Sequence, residues 1–203
     1  MRKTTRWWWI RHAPVRNHDG RLYGRRDVAA DFSDTKAIAA LAAKLPQKAI
    51  WVASPLSRAR GTAEALIEAS ADQTAALDIE PDLIEQNFGA WQGMTYDDIL
   101  AATGGRKHPL AFAPAETVPE GGESFAAIIP RVAAVIERLT KLHAGGDIIA
   151  VAHAGVIRAA LAVALELDAE AALLFAVAPL SLTRLDYLAG AELWRVEGVN
   201  VTG

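Results

Sequence analysis

Three short apolar runs, 7–10 (WWWI), 49–53 (AIWVA) and 148–152 (IIAVA), each end abruptly in polar residues, and the last two lead straight into helical patterns. A run without polar alternation is apolar on both faces, the mark of a strand covered from both sides. Further strands are read at 182–187 and 193–197, with a weaker one at 77–79. Helical patterns lie at 35–45, before Pro46, and at 57–69, 96–102, 123–142 and 156–165, with Pro130 as a kink or start in the fourth. Strands alternating with helices predict an α/β fold of three layers, helices on both sides of a mostly parallel sheet. The stretch 87–119 is rich in glycine and proline and has weaker periodicity. It carries Phe88, Trp91, Tyr96 and Phe112, and is expected to be an inserted helical cap within a single domain of 203 residues.

Composition narrows the function classes. Hydrophobic residues make up 52% of the chain, enough for a substantial core, and the net charge of -3 argues against a general nucleic-acid or membrane-surface binder. An anion site would have to be local. No cysteine is present, which removes disulfides, thiolate zinc sites and thiol nucleophiles. The basic start is followed by an apolar stretch of only 7–10 before Arg11, too short for an export signal, and no later run reaches the roughly 20 residues of a membrane span. The cytoplasm is the default compartment.

In parallel sheets, ligands sit outside the carboxyl ends of strands. The first strand delivers Arg11 and His12 there, the second leads through Ser54 and Pro55 to a helix whose first turn carries Arg58, and the third ends at His153. Singly, each has a structural explanation: Arg58 and Arg60 as a solvated helix face, His153 as a core histidine. Jointly, two arginines and two histidines at three strand ends would meet in one crevice, and like charges are gathered where an anion is expected. A phosphoryl group suits them, since guanidinium forks donate to tetrahedral oxyanions. No GxxxxGK(S/T) loop, GxGxxG turn, HExxH or GxSxG elbow occurs, which leaves histidine as the nucleophile.

The motifs RHAP (11–14), SPLSRARGTAE (54–64), LIEQNFGAWQG (83–93) and VAHAGVIR (151–158) resemble, in order, those of the histidine phosphatase superfamily with its phosphoglycerate-mutase-like fold. Ala13 and Ala154 replace the glycines that follow each histidine in that family, and Pro14 stands where an acidic or amide residue is common. The resemblance implies His12 as the phosphorylated nucleophile, Arg11, Arg58 and His153 as the phosphate-binding set, and Glu85 as proton donor. A narrower likeness in GRLYGRRDVAADFSD (20–34), with 85–99 and 118–125, is to the α-ribazole-5′-phosphate phosphatase branch. Tyr23, Gly24 and Arg25 of that stretch are expected to bind substrate, and with them Asn17 and Ala154, which lie near the two histidine motifs.

The expectation is a phosphomonoesterase of small metabolites that needs no metal and no cofactor. Its partner would be a small phosphate ester such as α-ribazole 5′-phosphate, without nucleic acid or membrane, and a homodimer is allowed. The alternatives are a phosphoglycerate mutase, whose resembling members are longer, a broad phosphatase, and a non-catalytic phospholigand binder, which would need the arginines but neither His12 nor Glu85. Glu123 and Ser124 read as the start of a helix, bordering the substrate mouth.

Overall fold

A computed structural model describes residues 4–16, 19–70, 72, 75–105, 108 and 111–202. Strand β1 (Thr4–Arg11) explains the three adjacent tryptophans. Strand side chains alternate between faces, so Trp7 and Trp9 share one face and are fully buried, stacked with centroids 4.9 Å apart. The Trp7 Nε1 donates to Thr140 Oγ1 at 2.9 Å, which satisfies its polar group inside the core. Trp8 lies on the opposite face with Ile10, donates Nε1 to Asp147 Oδ1 at 2.9 Å and packs beneath the Arg184 guanidinium.

The chain continues through α1 (Thr35–Ala42), β2 (Ile50–Ala53), α2 (Ser57–Ala69), β3 (Leu77–Ile79), α3 (Tyr96–Ala102), α4 (Phe125–Leu142), β4 (Asp147–Ala152), α5 (Ala154–Leu165), α6 (Ala169–Ala172), β5 (Leu182–Leu188) and β6 (Leu193–Val201). The strands form one sheet in the order β3-β2-β4-β1-β5-β6. The pairings β1–β4, β2–β4 and β2–β3 are parallel, and β1–β5 and β5–β6 are antiparallel. Along β4, Ile148, Ala150 and Ala152 face α4 and α5, while Ile149 and Val151 face α1 and α2. Helices therefore cover both faces, as the unbroken apolar runs required.

Several boundaries differ from the sequence reading. The helix expected to reach Leu45 ends at Ala42, and the turn that follows lets Leu45 leave the helical region before Pro46. The helix expected from Glu123 begins at Phe125, because Ser124 is its N-cap and accepts from Ala127 N at 3.1 Å. Pro130 lies inside α4 and neither starts nor ends it. Helix α5 starts two residues before the expected Val156, and the four-residue α6 was not anticipated. Among the described residues, no helix is long and apolar enough to cross a membrane.

Within 87–119, a 3-10 turn (Gly89–Trp91) and α3 bring Trp91, Ile99 and Ala113 together with Leu22 in a small cluster, flanked by Phe88, Met94 and Phe112. The turn depends on Gly89: its φ is +47°, and a Cβ there would stand 2.0 Å from the Glu120 carbonyl oxygen.

The topology positions the site. Strands β1 and β4 are parallel neighbours, yet β1 leads on to α1 on one face of the sheet and β4 leads to α5 on the other. Connections that leave in opposite directions open a crevice between the two carboxyl ends. Arg11, His12 and His153 stand there.

Candidate active site

His12 N donates to Ala152 O at 3.0 Å, which extends the β1–β4 ladder by one residue and fixes the backbone. The imidazole Nδ1 lies 2.7 Å from Ala13 O. A carbonyl only accepts, so Nδ1 carries the proton and Nε2 keeps its lone pair. The ring is almost fully buried, and burial pushes its pKa down to about 3 against the opposing hydrogen bond to Ala13, with the charges of Arg11 and Arg58 adding to the decrease. His12 is thus neutral near pH 7 with a free Nε2. Ala13, whose N–H donates to Thr62 Oγ1 at 2.9 Å, and Ala154 both have negative φ, so alanine in place of the family's glycine brings no backbone strain.

His153 ends β4 with its ring centroid 5.2 Å from that of His12. Its Nε2 is 2.7 Å from Ser54 Oγ, just past the end of β2, and burial, together with the charges of Arg58, Arg11 and Arg131, holds its pKa well below the usual histidine value. Arg58, in the first turn of α2, is fully buried, whereas Arg60 is exposed. The Arg58 terminal nitrogens donate to Arg26 O at 2.8 Å and Gly24 O at 2.6 Å, and its guanidinium carbon lies 4.8 Å from the Tyr23 ring centroid. Arg11 donates to Val177 O at 2.6 Å. Arg11 Nε, Arg58 Nε and His153 Nδ1 are buried without a hydrogen-bond partner among the described residues. Leaving such a group unpaired costs about 1–3 kcal/mol; these three belong to the expected anion-binding set, while Trp9 Nε1, Arg131 Nε and Ser181 Oγ are buried and unpaired as well.

Glu85 follows a short 3-10 turn (Pro81–Leu83). Its backbone carbonyl accepts from Arg25 Nε at 2.9 Å and from Arg131 at 3.4 Å, and both arginines reach the carboxylate of Glu123, Arg25 at 2.6 Å. Glu123, read from sequence as part of a helix start, is the hub that holds this loop. Gln86 N donates to Glu85 Oε1 at 3.0 Å, and a Cβ on Gly155 would come within 2.5 Å of that oxygen. The carboxylate therefore lies against the first turn of α5; burial pushes the pKa values of Arg58 and Arg158 down, and the charge of Glu85 opposes that shift.

A cavity of about 570 Å³ opens beside this cluster, with Arg11, Tyr23, Gly24, Glu85, Ala154 and Gly155 in its wall and Phe88, Trp91, Tyr96 and Phe112 contributed by 87–119. His12, Arg58 and His153 are buried next to that wall. Arg25, expected to bind substrate, does not line the cavity, because its guanidinium is engaged by Glu85 and Glu123. Asn17 lies outside the described residues. The sequence reading missed Arg131 and Arg158. Arg158 was visible in VAHAGVIR, since four residues after Ala154 is one turn along the same helix face.

The profile described as the histidine phosphatase superfamily (branch 1) matches residues 7–202. The bifunctional protein Rv2228c of Mycobacterium tuberculosis is 31% identical over 96% of this chain and 53% of its own length, so the chain spans about half of that relative. The metal-independent phosphoserine phosphatase of Arabidopsis thaliana is 30% identical over 74% of this chain and 64% of its own. Among solved structures, mycobacterial glucosyl-3-phosphoglycerate phosphatase superposes with a TM-score of 0.82 at 26% identity, covering 98% of this chain and 100% of the other.

Proposed function

The chain belongs to the histidine phosphatase superfamily, and from that premise we propose that it hydrolyses small phosphomonoesters through a phosphohistidine on His12. The observation that carries the reading is the neutral, Nε2-free imidazole of His12 set among Arg11, Arg58 and His153, whose buried nitrogens await an acceptor.

In the first step, His12 Nε2 attacks phosphorus. The P–N bond forms as the ester P–O bond breaks, and Glu85 gives its proton to the departing oxygen. Arg11, Arg58 and His153 hold the non-bridging oxygens and supply the positive charge that the transition state needs. The Nδ1–H bond to Ala13 O persists and steadies the imidazolium. In the second step, water attacks phosphorus, Glu85 takes its proton, the P–N bond breaks and phosphate leaves.

For the ester, the 20–34 stretch suggests α-ribazole 5′-phosphate, and the aromatic side of the cavity would accept its base. The names of the relatives point to phosphoserine and glucosyl-3-phosphoglycerate. These share a phosphate on a small organic alcohol, and the proposal is made for that class. The test is turnover of purified protein on α-ribazole phosphate, 3-phosphoglycerate, sugar phosphates and an aryl phosphate, in excess EDTA. Release of phosphate that survives the chelator supports the reading, since arginines carry the charge a divalent ion would otherwise carry. No release from any ester, or release only with a divalent ion restored, contradicts it.

A further inference from the structure

We propose that Glu123 is a positioning residue for the leaving-group acid: directly, and through Arg25 and Arg131, it sets where Glu85 presents its proton. The proposal rests on the phosphatase reading, with Glu85 as the acid, and deepens it by adding a residue that does not line the substrate cavity.

Glu85 lies between the turn at Pro81–Leu83 and the turn at Gly89–Trp91, where neither a helix nor a sheet ladder fixes the backbone. Its carboxylate accepts from Gln86 N, and no side chain among the described residues donates a hydrogen bond to it. The aim of the carboxyl therefore follows the backbone of 85–87, and Glu123 holds that backbone on both sides. Beyond Glu85, Glu123 Oε1 accepts from Asn87 N at 2.8 Å, Glu123 N donates to Asn87 O at 2.8 Å, and Glu123 O accepts from Gln86 Nε2 at 2.9 Å. At Glu85 itself, Arg25 spans from the backbone carbonyl, at 2.9 Å, to Glu123 Oε1, at 2.6 Å. Arg131 makes the same span from α4 and also donates to Asp82 O. The two loops meet too closely for a side chain: a Cβ on Gly122 would stand 2.5 Å from Asn87 O.

The Glu123 and Arg131 side chains are only 24% and 18% exposed, so these charge-assisted bonds are screened less than an ion pair in open solvent. Glu123 also keeps two like charges together. Burial pushes the Arg131 pKa down and the charge of Glu123 opposes that shift, while the charge of Arg25 adds to the decrease. Without the shared carboxylate, Arg25 and Arg131 would repel each other across the Glu85 carbonyl that both grip. Glu123 is itself held in place, because Ser124 caps α4 directly after it. A general acid must stand within hydrogen-bond reach of the departing oxygen, and a displacement of about 1 Å costs on the order of a hundredfold in rate.

The test measures kcat on an alkyl and an aryl phosphate in wild type, Glu123→Gln, Glu85→Gln and the double variant. Glutamine can still accept from Asn87 N but lacks the charge that holds the two arginines. Glu123→Gln should lower kcat on the alkyl ester by about 10- to 100-fold, with a much smaller loss on the aryl ester and no change in inhibition by inorganic phosphate. Glu123→Asp, which keeps the charge, should recover part of the loss. In the Glu85→Gln background the second substitution should cost nothing further on the alkyl ester, since no proton remains to be aimed. Should Glu123→Gln fail to fold, Arg25→Lys carries the same comparison, because lysine keeps the charge but cannot span from Glu85 O to Glu123. Equal losses on the two esters, or a loss as large in the Glu85→Gln background, would overturn the proposal and leave Glu85 as the acid. An equal loss on both esters in Glu85→Gln alone would instead overturn the role of Glu85, and absence of turnover on every ester the phosphatase reading; the proposal would fall with either.

Discussion

At the residue scale, the chemistry depends on which nitrogen of His12 carries a proton. The Ala13 carbonyl fixes it on Nδ1, and burial keeps the ring neutral down to about pH 3. In the free protein, NMR titration should find the His12 ring unprotonated at pH 5, and bound inorganic phosphate should raise its pKa by placing a negative charge beside the two arginines. A ring that titrates near 6.5 without ligand would refute this environment. Glu85 is tested by its leaving groups. Glu85→Gln keeps size and hydrogen bonding but cannot give up a proton, so kcat on an alkyl ester should fall by roughly 10²- to 10⁴-fold while an aryl ester, whose phenoxide leaves more easily, loses less. Equal losses would show that Glu85 does not protonate the leaving oxygen. Gly155→Ala examines the same carboxylate from the opposite side: the new Cβ would meet Glu85 Oε1 at 2.5 Å, and the shift this forces should lower kcat on the alkyl ester by about 10- to 100-fold with little change in phosphate inhibition.

At the scale of elements, what was legible follows from how local each signal is. Strands β1, β2 and β4 could be read because both faces are buried and their apolar runs are unbroken, and Arg11, His12, Ser54 and His153 stand at their ends. The family motifs singled out Glu85, which no periodicity marks. The role of Arg25 was not legible, since its partners, Glu85 and Glu123, are 60 and 98 residues away in sequence and meet only in the fold. Arg131 was hidden for the same reason, being one polar residue on an amphipathic helix until Glu85 O is placed against it. The 20–34 stretch has a use that its motif did not reveal: Asp27 Oδ1 accepts from Ser57 N at 2.7 Å, serving the start of α2 where Leu56 has no capping side chain. Asp27→Ala should therefore cost about 1 kcal/mol, as loss of a helix cap does, and should weaken phosphate binding because α2 carries Arg58. Denaturant unfolding and phosphate inhibition check the two effects.

At the scale of the whole molecule, one sheet order makes the site and also burdens stability. Placing β1 beside β4 buries two histidines in neutral form next to arginines. The unfolded chain protonates such histidines near 6.5, whereas the folded state keeps His12 unprotonated to about pH 3. Between those values the unfolded state binds more protons, so stability is fully present above about 6.5 and declines as pH falls toward 3, with His153 contributing in the same direction. Thermal melts from pH 8 to pH 4 should show a falling Tm below 6.5, and His153→Asn should flatten that slope. A slope unchanged in the variant would mean that His153 is not held neutral by the fold.

The account turns on a covalent bond between phosphorus and His12. Mixing the protein with a phosphorus-labelled ester that it hydrolyses, quenching in alkali within the first turnover and mapping the label by mass spectrometry tests that bond directly. The account predicts a base-stable, acid-labile phosphoryl group on the peptide carrying His12, present in wild type, accumulating further in Glu85→Gln with an aryl ester, and missing in His12→Asn together with turnover. Full turnover in His12→Asn, or a label on any other residue, would contradict it.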